Sequence, residues 1–146
     1  MKINLWGVRG SIQTSGPNTK SYGSRTSCTL VSEDGHSLIL DAGSGIQQFN
    51  SLNLPHKNIH ILLTHLHMDH ILGLGFFNPF FIPGQDVHIW GPTAVTQSLR
   101  SRLGRYLSPP LFPVLLRDLP CKLTFHEIGN SEFEVEHFKI KTNYII

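Results

Sequence analysis

An α+β domain is the fold class the sequence predicts. Three observations predict it: short β-type runs dominate the first half, one amphipathic helical stretch follows position 92, and further alternating runs close the chain. With 146 residues, 40% of them hydrophobic, the chain suffices for a single domain, 1–146, with a core of its own. No internal repeat, low-complexity tract or linker interrupts the sequence.

The elements follow in order. Lys2 to Trp6, Thr26 to Ser32 and Ser37 to Leu40 read as strands, punctuated by Gly7, Gly10, Gly16-Pro17 and Asp34-Gly35. Asp34-Gly35 separates two apolar runs, which predicts a hairpin. Ser44 to Leu52 sets Ile46, Phe49 and Leu52 at helical spacing, and Asn58 to Thr64 is a further strand. Phe76 to Gly84, with Pro79 and Pro83, cannot hold a long regular element and is expected as a loop beside the functional site. After a strand from Val87 to Trp90, Gly91-Pro92-Thr93 marks a helix start, with Pro92 or Thr93 in the first turn. Val95, Leu99, Leu103 and Tyr106 or Leu107 would be its buried face, and Arg100, Arg102 and Arg105 its exposed one. Pro109, Pro110 and Pro113 end that helix. Lys122 to Glu127, Phe133 to Val135 and Phe138 to Ile146 are the closing strands, with a turn at Gly129-Asn130.

Charge and cysteine content narrow the function classes. Twelve Lys and Arg against ten Asp and Glu give a net charge of +2, too mild to argue for nucleic acid. The arginine trio reads as a solvated basic face, with reception of a phosphate-bearing substrate as the alternative. A nucleic-acid module is disfavoured because no aromatic residues interleave with it. Cys28 and Cys121 lack metal-type spacing and are expected as free thiols in a reducing cytoplasm. No N-terminal export pattern occurs, and no apolar run approaches the ~20 residues of a membrane span.

The chemistry concentrates at His65-Leu66-His67-Met68-Asp69-His70, three imidazoles and a carboxylate just after the apolar run Ile61-Leu62-Leu63-Thr64. Neutral imidazole is the commonest metal ligand, and an oxygen donor beside it suits zinc, iron or manganese. In extended backbone His65 and His67 point to one side and can grip one ion together. A helical turn after Met68 would swing Asp69 and His70 toward a second ion, and a pair of ions is the usual clamp for a hydrolytic transition state. The bland alternative is a polar loop whose histidines bond to backbone or water. His126 and His137 are expected as surface or edge-strand histidines.

The H-x-H-x-D-H run resembles the signature of the metallo-β-lactamase superfamily. The resemblance extends through Leu5 to Ile12, Thr26-Ser27-Cys28, Leu38 to Ile46, Gly73-Leu74 with Phe76-Phe77, and Ser108-Pro109-Pro110 with Phe112-Pro113-Val114. It is closest in character to the ribonuclease Z and cyclic-phosphate phosphodiesterase branch. It implies an αββα sandwich of which this chain forms roughly the first half, one mixed sheet with flanking helices, incomplete at the C-terminus. It implies two zinc ions, with manganese or iron as substitutes, the first held by His65 and His67 and the second by Asp69 and His70. Asp69 would also accept a proton during catalysis. Asp41, at a strand end before Ala42-Gly43, is similar to the superfamily's loop-orienting carboxylate, with a helix N-cap as its alternative. Arg9, Gly7 and Gly10 would approach a substrate oxyanion or simply form a tight turn.

The implied activity is metal-dependent hydrolysis of a small-molecule or nucleotide phosphodiester. The alternative is a catalytically inactive fragment, because the superfamily's later ligands are not found in this sequence. A sheet face left open, rich in Leu, Ile and Phe, would then favour self-association. Ser24-Arg25 stands where Gly-Asn is usual in the branch, Gln13 where proline is, and Met68 where Trp is frequent. These departures bear on substrate preference and remove no ligand.

Overall fold

The computed structural model describes residues 1–52 and 58–144. Six strands form one mixed sheet in chain order: β1 (Lys2–Gly7), β2 (Cys28–Glu33), β3 (His36–Leu40), β4 (Asn58–Leu62), β5 (Asp86–Pro92) and β6 (Lys122–Ile128). β1, β2 and β3 pair antiparallel, and β3 to β6 pair parallel. The β2–β3 hairpin turns on Asp34 and Gly35, both at positive φ (48° and 82°), as a two-residue turn between Glu33 and His36 requires.

Strand alternation gives the sheet two apolar faces. Cys28, Leu30, Ile39, Ile59, Ile61, Val87 and Ile89 point to the larger core, where the connections between parallel strands pack. Those connections are short. Ser44–Ser51 is a 3-10 helix, α1 spans Met68–Ile71, 3-10 turns cover Leu72–Phe76 and Asn78–Phe81, and α2 spans Leu99–Tyr106. On the opposite face, Leu38 and Leu62 meet Val135 and Phe138 of a separate antiparallel hairpin, β7 (Ser131–Val135) and β8 (Phe138–Thr142). The molecule is therefore a sheet between a helical layer and a two-stranded layer.

Several expectations are corrected. The helix predicted from Pro92 or Thr93 begins at Leu99, capped by Ser98, whose Oγ accepts from Ser101 N at 3.1 Å. Gly91 and Pro92 instead continue β5 beside Glu127 and Ile128 of β6, and Val95 is fully exposed. The arginines do not share one face. Arg102 turns back to donate to the Pro92 carbonyl, Arg100 lies over the Phe125 ring at 5.5 Å, and Arg105 is exposed. Phe76 to Gly84 holds no long element, as expected, yet it is no loose loop: Phe77 and Phe80 are fully buried in the main core. Ser44 to Leu52 buries Ile46 and Phe49 but winds as a 3-10 helix and leaves Leu52 partly exposed. β8 ends at Thr142, and the last two residues of the expected strand, 145 and 146, lie outside the described residues. The second sheet face is not left open either, since the hairpin covers its middle.

Candidate metal centre

The C-terminal ends of β1, β3 and β4 lie on one rim of the sheet, because β1 runs parallel to β3 through two antiparallel pairings. Ligand sites in open α/β sheets gather at that rim. Here the chain leaving β4 continues through Thr64 into His65, Leu66 and His67, and α1 follows at Met68. His67 is extended (φ −65°, ψ 151°) and precedes the helical turn, so the expected change from strand-like spacing to a turn is present.

All three imidazoles come together. The His65 ring centroid is 4.5 Å from that of His67 and 4.0 Å from that of His70. Asp69 Oδ2 lies 3.6 Å from His70 Nε2 and accepts from Ser11 N at 2.8 Å. That backbone N–H holds the Asp69 carboxyl below the ordinary range. Burial, and then the neighbouring rings of His70 and His67, push His65 below the ordinary histidine value.

Asp41 organises the loop. It is 5% exposed and sits at φ 61°, a left-handed conformation that Asp tolerates better than most residues. Its Oδ1 accepts from Thr64 N and Thr64 Oγ1, both at 2.9 Å, and its Oδ2 accepts from Ser27 Oγ at 3.1 Å. His70 Nδ1 is 2.7 Å from the same Oδ2. A carboxylate only accepts, so His70 carries its proton on Nδ1 and leaves the Nε2 lone pair free. The N-cap alternative for Asp41 is set aside: the cap of the Ser44–Ser51 helix is Gly43.

Two glycines let the turn and the loop touch. A Cβ on Gly43 would stand 2.1 Å from Asp69 O, and one on Gly73 would stand 2.2 Å from Gly43 O. Backbone bonds from Ala42 N to His70 O and from Gly73 N to Ala42 O, each 2.8 Å, lock that approach. Ser11 is a site residue that sequence reasoning missed. It sits at φ 66°, and no signal in the local sequence marks it. Gly7 is explained by packing, since a Cβ there would lie 1.9 Å from Thr26 O, and Arg9 Nε donates to Ile12 O at 2.9 Å. The tight-turn account therefore holds for that segment. Cys28 and Cys121 are free and buried; burial and then Asp41 push the Cys28 thiol up to about 12, so it stays protonated.

The donor set fits a divalent cation. Three imidazoles of which one has its tautomer fixed by Asp41, with an ionised carboxylate beside them, are what zinc, manganese or iron ligation asks for. Among the described residues no three such side chains converge on one point at coordinating distance.

Fold and site together define a metallo-β-lactamase fold. The structure resembles the metallo-β-lactamase fold protein YhfI of Bacillus subtilis (TM-score 0.55, 16% identity, 92% of this chain and 49% of that one). It also resembles a diphosphatase of the PhnP family (TM-score 0.61, 16% identity, 95% of this chain and 54% of that one). In sequence it is 34% identical to ribonuclease Z of Metallosphaera sedula over 91 residues, 58% of this chain and 31% of that protein. Residues 8–111 match the family described as Anti-Pycsar protein Apyc1, and the chain belongs to that family. It spans between 31% and 42% of the length of the first curated relatives it matches.

Proposed function

We propose that this chain supplies the His65, His67, Asp69 and His70 donor set of a metal-dependent hydrolase that cleaves phosphodiester bonds. The observation that carries the reading is the contact between Asp41 and His70 Nδ1, which turns His70 Nε2 toward Asp69 and the other two rings. The names of its relatives, a ribonuclease and a diphosphatase, support phosphorus–oxygen chemistry for it. A bound zinc ion, or manganese or iron in its place, supplies Lewis acidity and an acidified water.

The chain's own residues do the positioning. Thr64 and Ser27 fix Asp41, Asp41 fixes His70, and Ser11 N–H fixes Asp69 in its ionised form, ready to accept a proton. His67 is exposed at the mouth of the cluster and His65 lies between the other two rings. The substrate class is a small-molecule or nucleotide phosphodiester. Among the described residues no helix is long and apolar enough to cross a membrane.

Elemental analysis paired with hydrolysis of bis(p-nitrophenyl) phosphate tests the reading. Stoichiometric zinc and turnover are expected, and His67→Ala should abolish turnover and lower metal content. Failure of the unaltered chain to take up any divalent ion would end the proposal. Zinc uptake without turnover would favour the second reading, a metal-holding but non-catalytic chain.

A further inference from the structure

A second histidine cluster lies on the far side of the sheet, away from the metal centre. Five of the nine histidines are there: His36 on β3, His60 on β4, His88 on β5, His126 on β6 and His137 in the β7–β8 turn. Glu136, at φ 53° in that turn, reaches both His60 Nε2 (3.3 Å) and His36 Nδ1 (3.2 Å) across the layer boundary. Behind it the His60 ring stacks on His88 at 4.7 Å, and His88 stacks on His126 at 5.2 Å. Trp90 stacks on His126 at 3.8 Å and on Phe133 of the hairpin at 5.2 Å.

Hydrogen bonds on both ring nitrogens fix the tautomer of His60. His60 Nε2 faces a carboxylate and so carries the proton, while His60 Nδ1 accepts from Trp90 Nε1 at 3.2 Å. His88 Nε2 lies 3.3 Å from Asp86 Oδ1 without a hydrogen bond between them, and His88 Nδ1 shares one proton with His126 Nε2 at 2.9 Å. A second proton on His60, or one on each of His88 and His126, would land on a nitrogen already facing an N–H. Two donors would then oppose each other inside a stacked row.

We propose that this row, with Glu136 as its clasp, is an acid-sensitive latch that releases the β7–β8 hairpin from the sheet. Among the described residues, Asn58 of β4 also bonds to Glu136, and the charged groups nearby are mostly paired. Glu33 of β2 holds the terminal amine at 2.9 Å and faces His137 at 4.0 Å. Asp86 of β5 is paired with Lys122 of β6 at 2.9 Å. On the hairpin, Lys141 pairs with Glu132 at 2.7 Å.

Burial, more than any other influence, holds His60, His88 and His126 below the ordinary value of 6.5, and the neighbouring imidazoles add to it. Groups with a lowered pKa in the docked state take up protons on release. Docking is therefore fully stable above 6.5 and weakens as pH falls through that value. Glu136 is held low by its bond to His60, against the opposing effect of burial. It stays ionised in this window and can offset one imidazolium, not three. Release would uncover Leu38, Leu62, Val135 and Phe138.

Hydrogen exchange read by mass spectrometry on the full, zinc-saturated chain, corrected for intrinsic rates, tests the latch between about pH 7.5 and about pH 5.5. Protection of residues 131–142 should fall at least ~10-fold while that of β4 and β5 holds. Glu136→Gln should move the loss to higher pH, and the His60→Gln, His88→Gln pair should flatten it. His126→Gln, at a less buried position, decides the matter if the pair does not fold: it must weaken the pH response. Constant hairpin protection, simultaneous loss in the sheet, or variants that track the parent chain would each overturn the proposal.

Discussion

Asp41 receives hydrogen bonds from Thr64, Ser27 and His70 on two oxygens, so its charge fixes the entry to the His65–His70 loop and the tautomer of His70 together. Asp41→Asn tests this with the backbone preserved, since Asn also tolerates the left-handed conformation at φ 61°. The amide cannot accept at both positions. Zinc affinity should fall by ~10- to 100-fold, measured by competition with a chromophoric chelator, with circular dichroism unchanged. That Asp41 and the His-x-His-x-Asp-His run come together was legible in the sequence, because both stand at strand ends with residue types that pair. The hold of Ser11 on Asp69 was not, since it is a backbone N–H at φ 66° that meets its acceptor across 58 positions of chain.

At the scale of elements, the touching turns of Gly43 and Gly73 set how closely the donor loop packs on the strand ends. Gly73→Ala puts a methyl group 2.2 Å from Gly43 O and 2.4 Å from Ile46 Cγ2, and the nearer atom is backbone that cannot swing aside. A loss of about 1 to 3 kcal/mol is expected, read as a lowered urea midpoint with an unchanged slope. Strands and turns with local signals were legible: all eight strands lie near their predicted positions, and Asp34-Gly35 makes its turn. The start of α2 was misplaced because Gly91-Pro92 looks like a helix start locally. The pairing of Pro92 with Ile128, 36 residues away, makes it strand instead. The histidine row was missed for a related reason. His60, His88 and His126 each sit at the polar position of an apolar strand, and only the parallel register stacks them. His126 and His137 were expected as surface or edge-strand histidines: His126 lies on the edge strand β6, half-buried against Trp90, and His137 is exposed.

For the whole molecule, the hairpin shields the middle of the second face but not its β1 margin. Ile3 and Leu5 remain 60% and 68% exposed there. Adjacent exposed aliphatic side chains on an edge strand favour association. Light scattering should therefore show self-association that rises with concentration and subsides in the Ile3→Lys, Leu5→Lys variant; a monodisperse parent at micromolar concentration would contradict it. β4 ties the two sides of the molecule together. Ile59 and Ile61 belong to one core, His60 and Leu62 face the other, and the next residues are Leu63, bonded to Trp90 O, then Thr64 and His65. Its register is set by three pairings with β3, Leu38 to His60, Ile39 to Ile61 and Leu40 to Leu62, and by five with β5, from Asn58 with Asp86 to Leu62 with Trp90. Sliding the strand by a single residue would exchange the contents of both interiors and carry the donor loop away from Asp41 in the same movement. Errors in assembling this one strand would therefore yield a protein wrong in three places at once, which confines the histidine and aspartate donor cluster to correctly folded molecules.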